Sequence, residues 1–181
     1  MTQLRIRTTL TLLLLMAFST ATVAQDSHCQ LGIGEDEAST PSDEFELPRD
    51  GTVIHVRTDL QWAQCALGQG WSRDSCTGQA ESMTWSEAQT AIDELNRTGE
   101  LGGYTDWRLP TREELETIVE KCREAPAIND DIFPDTPWAG FWTSSLDTEE
   151  EGDAWFIGFY YGLTLEYSRD SSYRVRPVRY R

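Results

Sequence analysis

Apolar positions along the chain fall into three regimes. Over residues 10–18 they are continuous (LTLLLLMAF), from Ala88 to Cys122 they recur at three- and four-residue spacing, and beyond Pro126 they alternate with polar ones. Each regime predicts a different element.

The helical regime opens twice in nearly the same words. In TWSEAQTAIDELNRTG, Thr84 and Glu87 have the spacing of a capping box, Ala88, Ala91, Ile92 and Leu95 share one face, and Gly99 closes the end. In TREELETIVEKC, Thr111 and Glu114 form the second box and Leu115, Ile118, Val119 and Cys122 repeat the face. That predicts a helix reaching Cys122, with the thiol on its buried side. The alternating regime predicts strands over 141–144, 154–160, 163–167 and 173–178, with Tyr161-Gly162 as a hairpin turn and a longer turn over 168–171. Shorter strand pieces, 52–56 and 60–62, follow the Asp50-Gly51 turn. Two helices followed by a short-stranded antiparallel sheet make an α+β order.

The continuous run is too short to cross a bilayer, which takes roughly 20 apolar residues. It follows Arg5 and Arg7 and precedes STATVA, so residues 1–24 read as a secretory signal peptide cut after Ala24, with Ala21 as the alternative. Cys29 lacks the Leu three positions before it and the small residue directly before it that a lipid anchor requires. The mature chain is therefore expected in the periplasm or at the cell surface of a Gram-negative bacterium, with no transmembrane segment. Residues 25–49 are acidic and turn-rich and read as an irregular lead-in; residues 50–181 read as one domain.

Charge narrows the partners. The net charge is −16, and signal removal takes two of the 15 basic residues and none of the 31 acidic ones, giving −18. Such a surface repels nucleic acid, anionic lipid and sulfated polysaccharide; neutral glycans, cations and basic surfaces of cell-surface proteins remain.

Four cysteines in an exported chain predict two disulfides. Three pairings exist; Cys65 with Cys76 is favoured because ALGQGWSRDS between them can turn back, leaving Cys29 with Cys122. The spacing matches no zinc ligand set, and the only histidines are His28 and His55. Nucleophilic catalysis lacks its pattern too: there is no Gly-x-Ser-x-Gly, and His55 sits in a predicted strand without a visible partner. With 31 acids, a carboxylate pair at glycosidase distance carries little meaning. Calcium is the only cofactor the sequence suggests, with Asp130, Asp131, Asp147 and Asp153 as candidate ligands, although DTEEEGD lacks the EF-hand spacing and solvated loops are the favoured explanation. Asn96-Arg97-Thr98 is a glycosylation sequon.

Seven Trp and six Tyr are many for this length. Trp62, Trp85, Trp107 and Trp142 fall inside structural patterns and read as core, whereas Trp138, Trp155, Tyr160, Tyr161 and Tyr167 flank loops or the hairpin and are the candidate ligand surface.

The segments TPSDEF (40–45), DGTVIHVRTDLQWAQC (50–65), LGQGW (67–71), TWSEA (84–88), GGYTDWRLPTREEL (102–115), CREAPAIN (122–129), FWTSS (141–145), AWFIGFYYG (154–162) and YRVRPVR (173–179) stand in an order that resembles the Lcl C-terminal domain family, also called DUF1566. The resemblance implies a C-type lectin-like fold, by the similarity of the closing Trp-x-Ser-Ser, Trp-x-x-x-Phe-x-x-Gly and Val-Arg-x-Val-Arg patterns. Many relatives carry cysteines where Ile92 and Pro177 stand here, so one bridge of the family is absent as a pair, and their cysteines support Cys29 with Cys122. The adhesin that names the family is associated with glycosaminoglycan binding and trimers. This chain has no Gly-x-y stalk, and its acidity opposes a polyanionic ligand. The expectation is a non-catalytic recognition or adhesion module, with a carbohydrate-active enzyme using paired carboxylates, or a structural subunit of a surface or pilus assembly, as alternatives. Asp106, Trp107, Arg108 and Pro110 are expected to rivet one element to the next, with Asp106 and Arg108 projecting to one side as a local ion pair or as backbone hydrogen-bond donors and acceptors.

Overall fold

In the computed structural model, which describes residues 38–181, the two ends of the described chain meet in one antiparallel sheet. Strand β1 (Phe45–Glu46) pairs with β2 (Thr52–His55), β2 with β3 (Leu60–Ala63), and β3 with the last strand, β9 (Val178–Tyr180). The segment expected to be an irregular lead-in is therefore built into the fold from Thr40 onward: Phe45 is buried against Phe133 and stacks on His55 at 4.7 Å. Residues 1–37, with the expected signal peptide and Cys29, lie outside the described residues.

A small hairpin follows, β4 (Gly70–Ser72) and β5 (Ser75–Thr77), turned by Arg73 and Asp74 at φ 54° and 60°. Two successive left-handed residues match the twist of the flanking strands. The hairpin brings Cys76 to Cys65, and the expected disulfide is formed with 5.5 Å between the Cα atoms. One of the two expected bridges is thus present among the described residues; the other needs Cys29.

Helix α1 (Trp85–Thr98) has its capping box on Thr84 and Glu87 and ends on Gly99 in the left-handed conformation, as the sequence predicts. Helix α2 is shorter than predicted: it spans only Arg112–Glu116. The Thr117 hydroxyl donates to the Glu114 carbonyl at 2.6 Å, and the next amides bond three residues back rather than four, Ile118 to Leu115 and Val119 to Glu116. Three β-branched residues in a row disfavour continued helix, and the tighter turn keeps Leu115, Ile118 and Val119 buried without it. Cys122 accordingly sits half-buried in the turn that follows, not on a helix face.

The second main sheet has three strands, β6 (Gly140–Leu146), β7 (Asp153–Gly158) and β8 (Leu163–Ser168), in that order. The fourth strand expected over 173–178 does not join it. Tyr173 and Arg174 make isolated bridges to Met83 and Phe141, and the chain then crosses to β3 as β9. Pro177 has no amide to give a ladder, and the Arg176 side chain points into the core, so this stretch connects sheets instead of extending one.

The three-stranded sheet is covered on both faces over β6 and β7. Ala88 and Ile92 of α1 pack on Trp142, Ala154 and Phe156; Leu115 of α2 joins Phe141, Ile157 and Phe159 on the other side. Trp62, Trp107 and Trp142 are fully or almost fully buried, each removing roughly 150–250 Å² from water, or about 4–6 kcal/mol of transfer free energy. Strand β8 lies at the open edge of this arrangement.

Candidate functional site

The DWRLP stretch is a clasp. Trp107 is buried, and its backbone is gripped by the Asn96 side chain, which accepts from the Trp107 amide at 2.7 Å and donates to its carbonyl at 2.8 Å. Arg108 exchanges both backbone hydrogen bonds with Val178, joining the segment to the last strand. The local Asp106–Arg108 pair is not formed. Asp106 takes a two-pronged contact from Arg179, and Arg108 donates to both oxygens of Glu114 at 2.6 and 2.7 Å while lying over the Tyr180 ring. Pro110 is buried, and its carbonyl accepts from the Ser144 amide and hydroxyl. The side chains of Asp106, Trp107 and Arg108 each bond to another part of the chain, so the geometry is that of a fastening. The sequon is occupied likewise, since the Asn96 amide is spent on Trp107.

The candidate aromatic residues divide into three places. Trp138, Tyr160 and Tyr161 come together: Trp138 meets Tyr160 edge-on at 6.2 Å, and Tyr160 meets Tyr161 at 4.4 Å. They are exposed, Trp138 by 63% and Tyr161 by 61%. The loop carrying the tyrosines is held in place, because the Phe159 and Tyr160 carbonyls accept from the Ala127 and Ala125 amides. Gly162 turns the chain at φ 70°, where an added Cβ would stand 2.6 Å from Val119. The exposed rings are therefore presented on a fixed support. Tyr167 is separate, on β8, 56% exposed and on the same face as Leu163 and Leu165. Trp155 is on the opposite face of the sheet, its ring 4.7 Å from the Arg112 guanidinium, in a cleft of about 420 Å³ lined also by Glu113, Ser145, Asp147, Glu149 and Glu166.

A larger cleft, about 530 Å³, was not anticipated. Asp50, Leu67, Gln69, Trp71, Leu95 and Glu100 line it, between the disulfide-bound hairpin and the end of α1. Its one sequence signal was Trp71 in LGQGW; nothing local indicated that the end of α1 would close the other side.

The four calcium candidates do not form one ligand set. Asp130 pairs with Arg123, while Asp147 and Asp153 are linked only through backbone at the mouth of the β6–β7 hairpin. Among the described residues no group of three or more His, Cys, Asp or Glu is gathered as a metal site requires. His55 is fully buried, with Nδ1 3.0 Å from the Thr58 hydroxyl and Nε2 3.4 Å from Glu44.

Two buried charged groups escaped the sequence reading. Glu120 is 1% exposed and accepts from the amides of Ser39, Thr40 and Cys122 and from the Ser39 and Thr40 hydroxyls, at 2.8–2.9 Å. Burial raises its pKa, but these hydrogen bonds outweigh burial and hold it below the usual carboxylate range. Arg176 is fully buried between Phe133 and Phe141 and donates to the Ala63 and Gln64 carbonyls and the Thr136 hydroxyl, with no carboxylate among the described residues in contact. Burial pushes it down to about 9, so it stays charged at neutral pH. Both are anchors between distant segments, and distance in sequence is why neither has a local pattern.

The model of the Lcl C-terminal domain family matches residues 51–179. The chain belongs to that family. No curated protein matches it. The family match takes in residues 106–110 of the clasp, the Trp155 cleft, the Trp71 cleft apart from Asp50, the aromatic ridge and β8; Glu120 extends the Lcl C-terminal domain by binding Ser39 and Thr40, which precede the matched region. No helix among the described residues is long and apolar enough to cross a membrane.

Proposed function

We propose that this Lcl C-terminal domain is an exported, non-catalytic recognition module, binding a glycan or protein at the bacterial surface or in the periplasm. The observation that carries the reading is the concentration of exposed apolar side chains. Among the described residues, seven of the ten large ones, Trp138, Leu146, Tyr160, Tyr161, Leu163, Leu165 and Tyr167, belong to the three-stranded sheet or its approaches. Scattered apolar residues are ordinary on a surface, but exposed rings in contact on a fixed support, as Trp138, Tyr160 and Tyr161 are, mark an interaction site. The C-type lectin-like fold is part of the same proposal, supported by the order of helices and closing sequence patterns.

The enzymatic alternative finds less support. Among the described residues, the carboxylates with displaced titration, Glu87, Glu94, Asp106, Glu113, Glu114 and Glu120, are all displaced downward. A general acid needs the opposite. A second binding reading, a glycan in the Trp71 cleft, is favoured by an indole and two carboxylates lining a volume of ligand size.

The test is a glycan array, with and without calcium, beside a cell-envelope binding assay, using the oxidised protein, Tyr160→Ala/Tyr161→Ala and Trp71→Ala. Loss of binding in the tyrosine variant supports the ridge and loss only in Trp71→Ala moves the site to the cleft. Failure of the wild type to bind any glycan or envelope component sinks the recognition reading.

A further inference from the structure

Strand β8 is an edge with little of the usual protection: Glu166 is its one charged residue. Its sequence, LTLEYS, contains no Pro, no Lys and no Arg, its pairing to β7 is continuous over six residues without a bulge, and no described residue pairs with its outer side. Exposed edges of this length are commonly blunted by charge, proline or a bulge, because their free amides and carbonyls template another strand.

The two faces beside that edge differ in chemistry. Register places Leu163, Leu165 and Tyr167 opposite Gly158, Phe156 and Ala154, and all three are about half exposed or more, at 53%, 46% and 56%. Thr164 and Glu166 lie on the other face, opposite Ile157 and Trp155. There Thr164 donates to Glu116 at 2.8 Å, and the adjoining cleft sets four carboxylates, Glu113, Asp147, Glu149 and Glu166, against the single guanidinium of Arg112.

A strand added to β8 would continue both faces, since successive side chains alternate between them. We propose, resting on the recognition reading above, that β8 accepts an extended segment of a partner protein in which apolar residues alternate with Lys or Arg. Its apolar positions extend the Leu163–Leu165–Tyr167 row, its basic positions meet Glu166, Glu116 and the acidic cleft, and backbone hydrogen bonds supply sequence-independent affinity. A second copy of this chain fits worse: pairing β8 with itself sets Glu166 faces together between two chains of net charge −16.

The probe is a seven-residue fluorescent peptide of alternating Val and Lys, with two controls: Val alternating with Glu, and a block peptide of the same Val and Lys content. Anisotropy reads affinity and amide hydrogen exchange locates the contact on the full oxidised chain. The alternating Val/Lys peptide should bind and slow exchange along β8. Leu165→Asp and Glu166→Lys, both at exposed positions, should each weaken it at least tenfold, and Glu166→Lys should narrow its advantage over the Val/Glu peptide. Equal affinity for the block peptide, unchanged affinity in both variants, or no binding overturns the inference. So does concentration-dependent dimerisation of the wild type that Leu165→Asp abolishes, which would make the occupant a second copy. If no peptide binds while a glycan or envelope component still does and is lost in Tyr160→Ala/Tyr161→Ala, only the strand inference falls and the recognition reading stands.

Discussion

Asp106 is held by Arg179, 73 positions later, and not by its neighbour Arg108: Arg179 Nε lies 2.6 Å from Asp106 Oδ1 and Nη2 lies 3.1 Å from Oδ2. Arg108 turns the other way, to Glu114 at the start of α2. Two residues with only Trp107 between them thus fasten two different elements, the last strand and the second helix. The Arg179 guanidinium also lies 4.1 Å from the Tyr104 ring, so the clasp closes over apolar surface.

The Arg108–Glu114 contact is two-pronged and half-buried, and Glu114 also completes the α2 capping box. Charge-assisted bonds of this kind are worth more than an exposed ion pair. Arg108→Ala should lower the free energy of unfolding by about 1–2 kcal/mol, read by urea titration. Binding by the folded variant should match the wild type; a selective loss of binding in a fully folded protein would give Arg108 a part in recognition.

Glu120 makes stability depend on acid pH. Its folded pKa is held down, so its contribution is complete above the unfolded value, about 4.3, and is lost as pH falls through the folded value. Glu120→Gln keeps the shape but turns an amide donor toward amides and hydroxyls that already donate. It should cost about 2–4 kcal/mol at pH 7 and flatten the dependence below about pH 4. An acid slope unchanged in the variant would show that Glu120 is not the group responsible.

His55 acts in a different window. Burial lowers its pKa, partly opposed by the hydrogen bond to Glu44, so the folded protein keeps the imidazole neutral. Stability from this group is therefore full above the unfolded value, about 6.5, and declines as pH falls from there toward the lower folded value. The ring stacks on Phe45, so His55→Phe should fit the site and remove the decline. Chemical denaturation between pH 5 and 8 compares the two, and an identical slope in both proteins counts against the assignment.

Arg176 tests the cost of leaving buried acceptors without their donor. Arg176→Met leaves the Ala63 and Gln64 carbonyls without this donor while preserving most of the volume between Phe133 and Phe141. Thermal and urea unfolding should show a loss of about 2–4 kcal/mol, the scale of buried carbonyls left unsatisfied. Equal or greater stability in the variant would mean that desolvating the guanidinium costs as much as its bonds return, as for some buried ion pairs.

Local chemistry was legible in the amino-acid sequence. The Thr84–Glu87 and Thr111–Glu114 boxes, the Gly99 end of α1, the Cys65–Cys76 turn-back and the existence of the β7–β8 hairpin, though its turn is the four residues 159–162 and not Tyr161-Gly162 alone, each depend on residues within about a dozen positions, where backbone conformation and side-chain reach decide the outcome. The family resemblance was legible for the same reason, as a succession of short segments. What the tertiary structure decided is everything that joins such segments: the Arg179 partner of Asp106, the Glu120 grip on Ser39 and Thr40, the crossing of the chain from Arg174 to β9, and the separation of Trp155 and Tyr167 to opposite faces of one sheet. Alternation shows that successive residues of a strand take opposite faces, but not which face the core will cover or which edge it will leave open. That choice follows from how α1, α2 and the first sheet pack together, and it is what exposes β8.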